Sequence, residues 1–135
     1  MSTAKFSSPE DAFAKADEAI KSADYDLKGG FFAATANRTY YTCYYCMTAL
    51  LYTKSIYPKT HSGAGTKFIE LFIKTSIFPA EMANSIAILF NYRQAADYDL
   101  GRSITKKEAE DLVYKALEFY KATNDYFKNI IDSRH

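Results

Sequence analysis

Phe31-Phe32-Ala33-Ala34-Thr35-Ala36-Asn37-Arg38-Thr39-Tyr40-Tyr41-Thr42-Cys43-Tyr44-Tyr45-Cys46-Met47-Thr48-Ala49-Leu50-Leu51-Tyr52-Thr53-Lys54-Ser55 is the stretch that decides the fold. It is too long for a strand and shows no period-2 alternation, so it reads as a helix. Phe32, Ala36, Tyr40, Cys43, Met47 and Leu50 share one side, and Tyr41, Tyr44, Tyr45 and Tyr52 occupy others. A helix without a polar face is either central to its domain or covered by another chain. Arg38 is its single interior charge. This helix is expected to be the most buried element and to carry a homodimer interface, because a large apolar patch is rarely left on a monomer surface.

Working outward, Ser8-Pro9-Glu10-Asp11 starts an earlier helix: a capping hydroxyl, a proline at the first turn, and acids at the positive end of the dipole. Ala12, Phe13, Ala16, Ala19, Ile20, Ala23 and Leu27 form its apolar stripe, and Gly29-Gly30 ends it. Downstream, Pro58, Gly63 and Gly65 mark a loop over Ile56–Gly65. Phe68, Leu71 and Phe72 open a short helix. Pro79 opens a longer one through Ile86, Leu89 and Phe90 to about Tyr98. Gly101 breaks the chain, and Thr105-Lys106-Lys107-Glu108 is a capping box for a last helix. The expected fold is all-α: an up-and-down bundle of four long helices and one short one, in a single domain spanning residues 1–135.

Composition narrows the function classes. Seventeen basic and sixteen acidic residues give a formal net charge of +1, which argues against a general polyanion binder. Acids are absent from Leu27 to Ile69, so one face can still be locally positive. The only histidines, His61 and His135, and the only cysteines, Cys43 and Cys46, lie at spacings unsuited to a zinc site. No Glu-x-x-His pair serves a di-iron bundle, and Gly63-Ala64-Gly65-Thr66-Lys67 lacks P-loop spacing. The expectations are no metal, no cofactor, two buried thiols, no membrane span and a cytosolic location.

Three segments carry the remaining chemistry. Asn37-Arg38-Thr39-Tyr40-Tyr41 lies in the aromatic helix, Thr60-His61-Ser62-Gly63 follows in the loop, and Tyr92-Arg93-Gln94-Ala95-Ala96-Asp97-Tyr98-Asp99 closes a later helix. In this order, over about Ala33 to Phe119, they resemble the HEPN family, and within it the small stand-alone prokaryotic proteins with an R-x-Y-Y helix, an H-S-G loop and an R-x-x-x-D-Y segment. The resemblance implies a dimerising bundle of four or five helices. It also implies either metal-independent RNA cleavage by an Arg and a His with four to six residues between them, or binding of RNA or a nucleotide without cleavage. A nucleotidyltransferase partner, in a toxin–antitoxin pair, is a further implication.

Arg93 matches the family's Arg, but the positions open to the His are Tyr98, Asp99 and Leu100. Cleavage by 2′-hydroxyl attack needs proton transfer near neutral pH. An unperturbed His titrates near ~6.5 and a Tyr near ~10, so Tyr98 is a poor substitute. The chain is therefore expected to keep anion binding at Arg93, Arg38 and His61 while lacking efficient catalysis. Arg93, His61 and Tyr98 are the catalytic candidates if it is a divergent ribonuclease. A purely structural interaction protein is the third class. The plainer expectation for Asn37, Arg38, Asp97 and Asp99 is a clamp, in which Arg38 meets Asp97 or Asp99 while Arg93 and Asp97 pair at i,i+4. His61 has a plain expectation too, as a capping or loop-pinning residue bonded to backbone. Its functional alternative is to replace the missing motif His in space.

Overall fold

The computed structural model describes residues 5–99 and 103–133. Gly101, expected to break the chain, and Leu100, one of the positions open to the family's His, lie outside them, as does His135. Five helices follow one another: α1 (Pro9–Lys28), α2 (Phe32–Tyr52), α3 (His61–Phe68), α4 (Glu81–Tyr98) and α5 (Lys106–Ser133). No strand occurs among the described residues. This is the four-long, one-short helical bundle that the periodicities predict.

Local chemistry starts and stops the helices where the side chains dictate. Ser8 Oγ accepts from the Asp11 N–H at 3.1 Å, and Pro9 occupies the first turn of α1. Ala12, Ala16, Ala19, Ile20 and Ala23 are buried, so a mostly alanine stripe lets α1 lie close along α2. Gly30 takes φ +81 in the reversal between them, a conformation that costs a side-chain-bearing residue about 1–2 kcal/mol. Thr105 and Glu108 at the start of α5 bond each other's backbone N–H reciprocally, as a capping box should.

The aromatic helix is central, and its own chain is what covers it. Fourteen of the residues of α2 are buried, against α1, α5, α4 and α3. Of the two ways to cover such a helix, four neighbouring helices of the same bundle supply most of the cover, with Tyr41 and Tyr45 left half-buried. Its threonines are compatible with this depth because Thr35, Thr42 and Thr48 donate to the carbonyls of Phe31, Arg38 and Tyr44 one turn back. The helix ends at Tyr52, three residues before the predicted Ser55, which takes φ +58 in the following turn.

The loop after α2 is also shorter than expected. Helix α3 begins at His61, inside the stretch Ile56–Gly65. Thr60 Oγ1 accepts from the Gly63 N–H at 2.9 Å and so caps the helix. Gly63 and Gly65, read as loop markers, sit within it at a propensity cost of roughly 1 kcal/mol each, which the cap and the burial of Ala64 and Phe68 offset. A π-helical turn, Ile69–Ile73, continues the segment. Phe68 stacks on Phe72 at 5.4 Å and meets Phe78 and Phe119, forming an aromatic block under α3. No helix among the described residues is long and apolar enough to cross a membrane.

Candidate anion-binding site

The residues singled out on three separate segments converge at one end of α2. Tyr41 lies three residues after Arg38 and four after Asn37, so it neighbours both on the surface of α2. The last turns of α4 bring Arg93 and Asp97 against that surface, and α3 brings His61 against Tyr40 and Tyr44.

Tyr41 is the hub. Its hydroxyl accepts from Arg93 Nη2 at 3.3 Å, and its ring faces two guanidinium groups, with Arg38 Cζ 5.2 Å and Arg93 Cζ 5.5 Å from the centroid. Arg93 Cζ also lies 5.6 Å from the centroids of Tyr40 and Tyr98. Three electron-rich faces around one delocalised cation replace part of its hydration, which an Arg tolerates better than a Lys. Tyr98 itself is 70% exposed, so its ring is open to a stacking partner on the solvent side.

The two arginines are joined through Asn37. Its Oδ1 accepts from Arg38 Nε at 3.0 Å and Nη2 at 2.6 Å, while its Nδ2 donates to Asp97 Oδ2 at 3.1 Å. That same oxygen lies 2.9 Å from Arg93 Nε. The arrangement corrects the expected clamp. Among the described residues Arg38 pairs with neither Asp97 nor Asp99. The Asn37 amide intervenes, because Asn37 adjoins Arg38 in the chain and its one oxygen accepts from two of the guanidinium nitrogens. Arg93 does pair with Asp97, but the Nε–H is not directed at the oxygen, and this buried nitrogen has no aligned hydrogen bond. The close approach is therefore an ion pair by charge rather than by hydrogen-bond geometry. Asp99 is the C-cap residue of α4, in extended conformation.

His61 does not act as the cap of α3, a role that Thr60 fills. Its Nδ1 is 3.1 Å from the Tyr40 hydroxyl, and its ring lies 4.1 Å from that of Tyr44. With the proton on Nε2, the phenol donates to Nδ1. Burial lowers the His61 pKa below its ordinary value, and the positive charges of Arg93 and Lys5 push it the same way. Burial raises the Tyr40 and Tyr44 hydroxyls well away from ionisation. At neutral pH the site thus holds a neutral imidazole, the neutral phenols of Tyr40 and Tyr44, and two guanidinium groups, of which Arg93 pairs with Asp97 and Arg38 bonds Asn37. That combination suits an anion carrying an aromatic ring.

Tyr41 is the residue that sequence reasoning assigned to packing and that the geometry places at the centre. The available signal was its spacing, since Tyr41 lies three residues after Arg38 and four after Asn37. Elsewhere, Cys43 and Cys46 are buried free thiols, the latter pushed up to about 12 by burial. No group of three or more His, Cys, Asp or Glu side chains among the described residues could hold a metal ion.

Comparison with known proteins agrees with this layout. The pattern defining the HEPN domain matches residues 9–126. A Methanocaldococcus jannaschii protein named "Putative toxin MJ0142" is 40% identical over 119 residues, covering 87% of this chain and 81% of its own. A second protein of that organism, "Putative toxin MJ0605", is 28% identical over 116 residues, covering 86% of both chains. A "UPF0332 protein" of Thermotoga maritima is 27% identical over 116 residues, covering 86% of this chain and 88% of its own.

Proposed function

Because the chain belongs to the HEPN family, we propose that it is a toxin-like helical module that binds RNA at the Arg38–Tyr41–Arg93 cluster without cutting it efficiently. One observation carries this reading: two guanidinium groups from different helices flank a single tyrosine ring, and only one of them, Arg93, has a carboxylate partner among the described residues. Paired planar cations recognise phosphate oxygens bidentately, and Tyr98 beside them offers a face to a base. The positions open to the proton-transfer residue of the family's motif hold Tyr98, Asp99 and Leu100, none of which is a His.

The test is binding of a labelled single-stranded RNA in EDTA, followed by analysis of its ends. Salt-dependent binding without cyclic-phosphate products is expected. Arg93→Ala and Arg38→Ala should each lower the slope of log affinity against log salt by about 0.7. Efficient metal-independent cleavage abolished by Arg93→Ala overturns the non-catalytic reading.

A divergent ribonuclease is the second reading, and His61 favours it. This imidazole is biased to its neutral form, as a general base requires, and it feels the Arg93 charge across Tyr40. Cleavage lost in His61→Ala, with RNA binding retained, distinguishes it. The toxin-named relatives support a partner antitoxin, and we propose a nucleotidyltransferase in that role. We also propose a cytosolic homodimer. With α2 covered, its natural surface is α4, where only Leu89 is fully buried and Ile88 is 36% exposed.

A further inference from the structure

Beside the arginine cluster, with Tyr40 among its lining residues, lies a cavity of about 270 Å³ between α2, α3 and α4. Met47, Ile69, Ile86 and Phe90 make it apolar, and His61 and Ser62 stand at its edge. Phe90 meets Tyr40 edge-on at 5.7 Å. The volume is just under the ~300–1,000 Å³ usual for small-molecule sites, which suits one ring system rather than a whole cofactor. Resting on the anion-binding reading of Arg93, we propose that this cavity is a nucleobase pocket, taking the unstacked base of the nucleotide whose phosphate lies on Arg93.

The two halves of such a ligand match two features that meet at Tyr40. The Arg93 guanidinium lies 5.6 Å from the Tyr40 ring, and the cavity uses the same residue as a wall. A nucleotide joins an anion to a flat heterocycle with apolar faces and a polar edge. The cavity offers apolar walls for the faces. At its edge, the Tyr40 hydroxyl occupies only His61 Nδ1, so Nε2 remains to bond a base. The first N–H groups of α3, at His61 and Ser62, have no acceptor within their own helix, because the bonds to Thr60 begin at Gly63 and Ala64. A purely hydrocarbon ligand would leave these donors and the nearby cations unanswered, which is why a nucleotide fits better than an acyl chain.

Gly65 allows the cavity to be filled without disturbing the fold. It lines the cavity, and a Cβ added there meets nothing within 4 Å. Leu is also the better helix former, so Gly65→Leu should fold. The experiment titrates wild-type protein, Gly65→Leu and Arg93→Ala with UMP, AMP, ribose 5-phosphate and inorganic phosphate at fixed ionic strength, by calorimetry. Both nucleotides, or one of them, should bind wild type about 10-fold tighter than ribose 5-phosphate, the scale of one base stacked on aromatic side chains. Gly65→Leu should remove that advantage and leave ribose 5-phosphate unchanged, whereas Arg93→Ala should weaken every phosphate. In wild type, NMR contacts between base protons and the Met47 or Ile86 methyls should appear, a readout independent of any variant's folding.

Ribose 5-phosphate binding as well as the nucleotides, with no base-to-methyl contacts, overturns the base pocket and leaves the anion site intact. Failure of every phosphate compound overturns both. If Gly65→Leu instead dissociates a dimer in sedimentation while nucleotide binding is unchanged, the cavity holds a second copy's side chain and the proposal is wrong.

Discussion

Replacing Asp97 by Asn should tighten RNA binding while it weakens the fold. Asp97 contributes the carboxylate paired with Arg93, whose Nε lies 2.9 Å away, and accepts from the Asn37 amide at 3.1 Å. A phosphate bound to the outer side of Arg93 would sit about 6 Å from it. At that distance the repulsion is ~0.7 kcal/mol for a dielectric of about 80 and ~2.8 for about 20. For a site that is neither dry nor fully wet, ~1.4 kcal/mol is the middle value, or about a tenfold gain in affinity per phosphate. The stability cost has a different origin. The pair is more buried than an ordinary surface bridge, with the Arg93 and Asp97 side chains 15% and 27% exposed. It should therefore exceed the ~0.3–0.5 kcal/mol of an exposed i,i+4 pair, and about 1 kcal/mol is expected. That corresponds to a fall in Tm of roughly 3–5 °C. Fluorescence anisotropy with a short single-stranded RNA, run beside a thermal melt, reads both effects. Asp111→Asn is the control, since its pair with Lys107 is open to solvent and should move neither. Unchanged or weaker RNA binding in Asp97→Asn refutes the reasoning, because it would mean that Asp97 holds Arg93 in place rather than competing with the phosphate.

Acidification should act through His61. Its folded pKa lies below the ordinary value, so the unfolded chain binds more protons as pH falls through about 6.5 towards the folded pKa. Stability is thus lost on that descent, and chemical denaturation at pH 7.5 and 5.5 should show a smaller loss in His61→Gln. The same protonation adds a positive charge beside Arg93, so RNA affinity should rise with acidification in wild type and rise less in the variant. Ser76 holds φ +62 after the π-helical turn, and Ser76→Gly should stabilise by about 0.5–1 kcal/mol if relief of this conformation outweighs glycine's extra freedom when unfolded; a thermal melt decides. Phe119 is fully buried against Phe68, so Phe119→Ala should cost about 3–5 kcal/mol in urea unfolding. A thiol reagent at neutral pH should label Cys43 and Cys46 only after unfolding, since both are fully buried and burial raises both thiol pKa values.

The sequence by itself determined the helical class, the order of the helices and most of their starts. Ser8-Pro9, the Thr105–Glu108 box and the alanine stripe of α1 act within a few residues of themselves, so their meaning is local. The pairing of Arg93 with Asp97 was legible for the same reason, being one helical turn apart. The start of α3 was not, because Gly63 and Gly65 are poor helix residues whose cost is met by the Thr60 cap and by burial of Phe68 in an aromatic block assembled from distant segments. Nor could the sequence tell whether α2 was covered by another chain or by its own, since an all-apolar helix is compatible with both. Tertiary structure alone decided that Asn37 stands between Arg38 and Asp97, that Tyr41 faces both arginines, and that His61 bonds Tyr40 rather than backbone. Each of these depends on how far α3 and α4 slide along α2. That register is set by the summed packing of the core, which no single segment encodes.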